Sequence, residues 1–447
     1  MDLVKDPIPT LVRQIAVPAS VGFFFNTMYN VVDTYFAGRD STDALAALAA
    51  SFPIFFIIIA LGSGIGQGTT ALIANALGKG DPARAHHFTL QSVSFGFLVG
   101  LLLTALGLWS SPTLFRYLGA EERYLDLALA YMNTILIGTV FFLLQSILNA
   151  TLNALGDTKS FRDFLVFGFL LNCVLDPWFM YGGWGVPAMG VRGLAVATVV
   201  IQVAGLLFML HKVRQTRIWG GLQWKLFKPD AGSYREIAGQ GLPASLNMLT
   251  VALGIFVITW FIGKFSKEGV AAYGIATRVE QIFLLPTVGL NIAILSLTGQ
   301  NNGARRLDRV RLALATTTRY GLAMMAVSGV IVFFSGHWFM SLFTSDDRVR
   351  MIGAEYLRIA AITLCAYVFL FQTVFMLQGL KQPGYALWVG LYRQLLAPAF
   401  VFWLLAFQFG WELRGIWWGI FLVTWSAALF MSWFGRWKLS RMDAETT

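Results

Sequence analysis

The sequence is poor in charge, with only 13% of its 447 residues being Asp, Glu, Lys or Arg, whereas soluble domains carry about 25%. Hydrophobic residues make up 57% of the chain, and the mean hydropathy is +0.66. Apolar segments of roughly 20 residues, each long enough to cross a hydrocarbon core of about 30 Å, recur along the sequence. We count twelve between residues 14 and 434, which predicts a polytopic membrane protein embedded in a lipid bilayer.

Several kinds of chemistry have no sequence support. The two cysteines, Cys173 and Cys365, lie in different apolar segments, so no disulfide framework is indicated. The four histidines lack the spacing of a zinc site. The chain has no G-x-x-x-x-G-K-[ST] motif, which argues against direct use of ATP, and it has no convergent nucleophile and base. We therefore expect neither an enzyme nor a bound cofactor.

The net charge of +10 is explained by membrane topology rather than by a nucleic-acid partner. Basic residues concentrate in alternate loops, among them Lys79 and Arg84, Arg305 and Arg306, and Arg436. Because loops rich in Lys and Arg stay on the cytoplasmic side, both termini are predicted to be cytoplasmic.

The chain reads as two halves offset by 225 residues. Residues 18–38 (PASVGFFFNTMYNVVDTYFAG) align with 243–263 (PASLNMLTVALGIFVITWFIG), and the same offset pairs Gly64 with Gly289. Each half holds six spans, an even number, so both halves enter the membrane in the same orientation. We predict an all-α polytopic membrane protein, with twelve transmembrane helices in two six-helix bundles. The bundles would be related by pseudo-two-fold symmetry about the membrane normal, with a cavity between them.

The domain boundaries follow from the repeat and from the basic segment between its halves. We predict an N-terminal six-helix lobe over residues 1–212, a cytoplasmic linker over 213–236, a C-terminal six-helix lobe over 237–434 and a cytoplasmic tail over 435–447.

Polar residues in the first half have apolar counterparts in the second. The three pairs at the 225-residue offset are Asp33 with Ile258, Asn172 with Ala397, and Asp176 with Val401. The shared scaffold therefore does not need these polar groups, and we infer that they serve a function of the first half alone.

The first helix carries Asn26, Tyr29, Asn30 and Asp33 at i, i+3, i+4 and i+7, which places them on one helical face. Intramembrane acids are costly and usually mark ion or proton pathways, so this face is expected to line the bundle interior or a water-filled cavity.

The fifth span carries Asn172 and Asp176 at i and i+4, followed by Pro177, which frees the carbonyl of Cys173. Asp33 and Asp176 are expected at similar depth. Two carboxylates in one apolar pocket cannot both ionise cheaply, so the pair is expected to bind either a proton or a hard cation such as Na⁺.

Other intramembrane polar residues are candidates for the same cavity. Asn149 and Asn153 lie one turn apart on the fourth span, and Thr198 lies on the sixth. In the second half, Arg278 and Glu280 form either a structural ion pair or a second pair of cavity groups.

The motifs PASVGFFFNTMYNVVDTYFAG, GKGDPARA, LNALGDTKSF and LNCVLDPWF, together with the twelve spans, make the chain resemble the multidrug and toxic compound extrusion (MATE) transporters. The resemblance implies a cation or proton site at Asp33, Asn172, Asp176 and Thr198, with Asn149 and Tyr29 lining the cavity. The segments MLTVALGIFVITW of the seventh span and ITLCAYVFLFQTVFMLQ of the tenth contain no acid, and in this respect the chain resembles the DNA-damage-inducible (DinF-like) branch.

The resemblance also implies a function. We expect a monomeric antiporter of the bacterial inner (plasma) membrane that exports cationic or amphipathic small molecules in exchange for inward H⁺ or Na⁺. One alternative is a flippase for lipid-linked oligosaccharides or other lipids from the same superfamily, although the first two spans contain no internal Lys or Arg to hold a pyrophosphate. A passive channel is a further alternative.

Overall fold

The computed structural model describes residues 1–221 and 227–444, and this part of the chain is helical apart from its loops and one isolated bridge between Gly183 and Val186. Twelve helices in it are long and apolar enough to cross a membrane, so the chain is a multi-pass membrane protein. The helices are α1 (Ile8–Asp40), α2 (Thr42–Gly78), α3 (Pro82–Tyr117), α4 (Glu122–Ala154), α5 (Lys159–Tyr181), α6 (Val191–Arg214), α7 (Ala231–Gly263), α8 (Lys267–Gly303), α9 (Leu307–Ser341), α10 (Asp347–Gly379), α11 (Gly384–Gln408) and α12 (Glu412–Ala444).

The helix bounds repeat at the 225-residue offset that the sequence predicts. Helices α2 and α8 correspond at both ends, and so do α4 and α10. The equivalent residues Ser41 and Ser266 cap α2 and α8, each accepting a hydrogen bond from the amide three residues later. A serine hydroxyl satisfies an amide that the first turn leaves without an intrahelical partner, so the same local signal starts the same helix in both halves.

Helix α11 departs from regular α-helical geometry in two places. Its residues Tyr392–Leu396 and Trp403–Gln408 form π-helical segments. Such segments are rare and occur often at functional sites. The second half of the chain therefore has a local irregularity that its counterpart α5 lacks.

Two compact units make up the chain. Each unit contains most of one half of the sequence together with the first part of one helix, α1 or α7, whose remainder belongs to the other unit. One unit is Val21–Ser245, and the other combines Met1–Ser20 with Leu246–Thr447. The predicted lobe boundaries at residues 212 and 237 remain predictions. Part of the predicted linker, residues 222–226, and the end of the predicted tail, residues 445–447, lie outside the described residues.

In the unit Val21–Ser245, the start of α7 packs on α2. Ile237 belongs to the apolar core that also contains Ile65 and Leu72. Gly64 has no room for a side chain, because a Cβ there would overlap the backbone and hydroxyl of Ser245. The small residue thus permits close approach of the two helices.

In the other unit, the start of α1 packs on α8 in the same way. Leu11 and Ile15 share an apolar core with Ile294 of α8. The Ser20 hydroxyl donates to the carbonyl oxygen of Pro286 at 3.1 Å. A Cβ on Gly289 would overlap Ala16 and Ser20, so the equivalent glycine is needed in both halves.

Candidate functional site

The two predicted acids of the first half are both buried in the unit Val21–Ser245. The side chain of Asp33 on α1 is 6% exposed, and that of Asp176 on α5 is completely buried. Asn172 lies one helical turn before Asp176 and is also completely buried. The i, i+4 spacing therefore presents an amide and a carboxyl group together on the face of α5 that meets α1.

Asn172 joins the two carboxyl groups. Its side-chain Nδ2 donates to Asp33 Oδ1 at 3.0 Å and to Asp176 Oδ1 at 2.8 Å. One amide nitrogen thus uses both of its hydrogens on the two acids, and their acceptor oxygens lie no farther apart than the sum of these distances. In the described part of the chain, no Lys, Arg or His lies within 4.0 Å of either carboxylate to balance its charge.

Two oxygens in this cluster have no hydrogen-bond partner in the structure. They are Asn172 Oδ1 and Asp176 Oδ2, both inaccessible. Buried polar atoms are nearly always hydrogen-bonded, and an exception calls for an explanation such as an ion or a functional proton. Carboxylate and amide oxygens suit a proton or an alkali cation, so the donor set fits the predicted ligand.

Tyr29 connects α1 to α6. Its hydroxyl donates to Thr198 Oγ1 at 3.0 Å, and Thr198 is 4% exposed. Tyr29 also interacts electrostatically with Asp33 and Asp176. Thr198, which the sequence analysis predicted for this site, is therefore connected to the cluster through Tyr29. Tyr29 lies one helical turn before Asp33 on α1.

The remaining residues of the predicted α1 face are placed differently. Asn26 and Asn30 are exposed, and Asn30 Nδ2 donates to the carbonyl oxygen of Asn26 at 2.9 Å. On α4, Asn149 is half-buried and Asn153 is buried, and the side-chain oxygens of both are without a partner. The structure gives none of these four a hydrogen bond to Asp33, Asn172 or Asp176.

Tyr131 is a member of the site that the sequence analysis missed. It lies on α4, is 5% exposed and interacts electrostatically with both Asp33 and Asp176. The repeat contained a signal for it, since the 225-residue offset places Tyr131 on another tyrosine, Tyr356.

The second-half candidates Arg278 and Glu280 do not form an ion pair. Arg278 is exposed, whereas Glu280 is 7% exposed and accepts a hydrogen bond from the Tyr356 hydroxyl at 2.7 Å. Residues two apart on a helix do not face each other, which accounts for their separation. The ion-pair interpretation was wrong.

The profile of one protein family, described as MatE, matches residues 18–178 and 243–403. The two matched ranges have the same length and are offset by 225 residues, the difference between 243 and 18. The chain belongs to the MatE family. Because members of this family are transporters, the chain is a transporter of small molecules and not an enzyme.

Proteins of similar sequence and a solved structure agree with this assignment. The "Probable multidrug resistance protein YoeA" of Bacillus subtilis is 26% identical over 77% of this chain and 75% of its own length. A protein named "FAD transporter" from Shewanella oneidensis is 27% identical over 88% of this chain and 87% of its own length. A solved outward-facing multidrug resistance MATE transporter has a TM-score of 0.92 and 26% identity, covering 98% of this chain and 97% of that one.

Proposed function

We propose that this transporter is a secondary active antiporter, which exports organic cations or other amphipathic small molecules in exchange for inward H⁺ or Na⁺. One observation carries the proposal, namely that a single amide holds two buried carboxyl groups with no basic partner in the described chain. An ionised carboxylate in such surroundings is costly unless a proton or cation neutralises it. The free energy of neutralising the pair is then available to drive a conformational change.

The residues divide the work as follows. Asp33 and Asp176 exchange the coupling proton with water, and Asn172 holds them together by donating to each. Asp33 lies on α1 and Asp176 on α5, so a change in their charge alters how strongly these two helices attract or repel each other. Substrate release and return of the carrier with its bound coupling ion then follow by alternating access of the two halves.

For Na⁺ as the coupling ion, the holding residues would be Asp33, Asn172, Asp176 and Thr198. The ion would neutralise the carboxylates as a proton does, and the oxygen-only donor set suits a hard cation. Tyr29, which donates to Thr198, would position the hydroxyl. Comparing uptake under a proton gradient with uptake under a sodium gradient distinguishes the two ions.

The basic loops support an orientation with both termini in the cytoplasm. From the membership of the MatE family we further propose that the protein lies in the inner (plasma) membrane of a bacterium and acts as a monomer. We also assign it to the DinF-like branch, because α7 contains no acid beyond Glu236 in its first turns and α10 contains none beyond Asp347 and Glu355.

A second candidate substrate class is the anionic dinucleotides, and one comparison favours it. The relative named "FAD transporter" aligns with 88% of the chain. A lipid or lipid-linked oligosaccharide flippase is the alternative from the same superfamily. Competition of FAD, or of a lipid-linked pyrophosphate, with cationic dye uptake separates these classes from drug export.

The decisive test is uptake of a fluorescent cationic dye into inverted vesicles under an imposed proton or sodium gradient. We compare the wild type with Asp33→Asn and with the matched control Asp40→Asn, which makes the same change at an exposed position at the end of α1. Uptake driven by one gradient, lost in Asp33→Asn and retained in the control, supports the proposal and names the ion. Wild-type uptake in Asp33→Asn would refute Asp33 as a coupling residue.

A further inference from the structure

A second buried acid lies in the unit that contains most of the second half of the chain. Glu280 is on α8 and is 7% exposed, and the Tyr356 hydroxyl of α10 donates to its Oε2 at 2.7 Å. No basic residue in the described ranges lies within 4.0 Å of its carboxylate. Glu280 therefore shares with Asp33 and Asp176 the two features on which the proposed coupling rests, burial and lack of a direct ion pair.

The basic residue that interacts with Glu280 is Arg393, in the π-helical segment Tyr392–Leu396 of α11. Its guanidinium lies over the ring of Tyr367 at 5.5 Å from the centroid. Both Arg393 and Tyr367 interact electrostatically with Glu280. Arg393 thus interacts electrostatically with the carboxyl group of Glu280 while it contacts Tyr367, an arrangement that responds to the charge of Glu280.

The titratable and charged groups that face Glu280 come from three helices. Tyr273 belongs to its own helix α8, Tyr356 and Tyr367 come from α10, and Arg393 comes from α11. The rings of Tyr273 and Tyr356 pack edge to face with centroids 5.4 Å apart. Tyrosine hydroxyls and one guanidinium form the polar environment in which the carboxyl group would gain or lose its proton.

Comparison of the two halves of the repeat shows which residues of this cluster have the same residue type at the equivalent position. At the 225-residue offset Tyr356 falls on Tyr131, the tyrosine beside Asp33 and Asp176. In both halves a tyrosine of the fourth helix therefore interacts electrostatically with a buried carboxyl group. The acid itself is not shared, because the residue equivalent to Glu280 is Phe55.

We propose that Glu280 is a second proton-binding site of the transport cycle, with Tyr356 and Arg393 as its positioning residues. The carboxylate takes a proton from water and later returns it to water, with no other bond made or broken. When Glu280 is ionised it attracts Arg393, and when it is protonated this attraction disappears. The position of the π-helical segment that carries Arg393 then depends on whether Glu280 is protonated. This inference rests on the proposed function and adds a second coupling group to it.

The first test is infrared difference spectroscopy of the purified full-length protein, in which a protonated carboxyl group gives a C=O band that disappears as the pH is raised. We compare the wild type with Glu280→Gln and with Glu268→Gln, a control in the first turn of the same helix. We expect one titrating band to be missing only in Glu280→Gln, and Tyr356→Phe to shift the midpoint pH of that band. An unchanged set of bands in Glu280→Gln would overturn the proposal.

The second test measures how dye accumulation in inverted vesicles depends on the size of the imposed pH gradient. If Glu280 carries one proton per cycle, Glu280→Gln lowers the number of protons exchanged per dye molecule by one, while Glu268→Gln leaves it unchanged. An unaltered ratio in Glu280→Gln would overturn the coupling role. Wild-type uptake driven by a sodium gradient but not by a pH gradient would also overturn the coupling role of Glu280. Absence of wild-type uptake under either gradient would instead defeat the proposed function, and the infrared titration would still decide whether Glu280 exchanges a proton.

Discussion

The two halves of this transporter use one helical framework for different chemistry. Helices α2 and α8, like α4 and α10, begin and end at equivalent residues. The acid of α1 is nevertheless replaced by Ile258 in α7, and the acid of α5 by Val401 in α11. The second half instead buries Glu280 at a position that is Phe55 in the first. The comparison teaches that backbone geometry and polar function are encoded by separate sets of residues.

The largest effect should come from removing a carboxylate of the first half, and the matched substitution in the second half serves as its control. We expect Asp176→Asn to reduce gradient-driven dye uptake to the level of vesicles without a gradient, because one of the two coupling charges is lost. Val401→Asn, which places the same amide at the equivalent position, should retain most uptake. Equal losses in the two variants would show that the halves do not differ in this function.

The shared glycines should behave alike in both halves. Gly64→Ala and Gly289→Ala each force a Cβ into a neighbouring helix, which typically costs about 1–3 kcal/mol of folding free energy. Thermal unfolding of the detergent-purified protein measures this loss. The control is Gly274→Ala, where nothing lies within 4 Å of the new methyl group. A normal unfolding temperature for either tight glycine would mean that this half tolerates wider helix spacing.

Changing Asn172 to its second-half counterpart tests the bridge between the acids. Asn172→Ala removes two hydrogen bonds to carboxyl groups, and each such bond typically contributes about 1.5–3 kcal/mol. We expect uptake to fall on the order of tenfold, equivalent to about 1.4 kcal/mol, with the protein still folded. The control is Asn133→Ala on α4, where the lost side-chain oxygen accepts a hydrogen bond from the Ser111 hydroxyl and not from a residue of the site. Full activity of Asn172→Ala would show that the acids couple without the bridge.

The smallest effect concerns the loop before α7. The hydroxyl and the backbone amide of Ser233 hold the pKa of Asp230 below its usual value. A depressed folded-state pKa means that this carboxylate stabilises the fold above its unfolded-state pKa, and that the contribution is lost as the pH falls through the folded-state value. Asp230→Asn should therefore lower the unfolding temperature slightly at neutral pH, with the difference shrinking on acidification. A difference that is constant with pH would exclude this charge as its source.

The sequence predicted the framework well, because hydropathy and an internal repeat report directly on spans. It also predicted the cluster of Asp33, Asn172 and Asp176, since i, i+4 spacing and the comparison with apolar counterparts single these residues out. It did not predict that Asn26 and Asn30 would stay outside the cluster. Spacing fixes which residues share a helical face, but the rotation of that helix against its neighbours depends on tertiary packing.

The surroundings of Glu280 were equally hidden from the sequence. Its partners Tyr356 and Arg393 lie 76 and more than 100 residues away along the chain, so no local pattern links them. The pairing with Arg278 was suggested by proximity in sequence, and helical geometry separates the two. Long-range contacts of this kind can be recognised only from the folded structure or from an equivalent residue in the other half of the repeat. Tyr131, which is equivalent to Tyr356, is an example of the second case.

The exchanged beginnings of α1 and α7 have a consequence for biogenesis. Leu11 and Ile15 leave the ribosome among the first residues, yet Ile294 and Leu377, which share their core, are synthesised more than 270 residues later. At about 5–20 residues/s this delay is tens of seconds. During translation the start of the first helix must therefore wait in the bilayer without its native partners. Ribosomes that stall after the sixth helix would release a chain in which neither unit is complete.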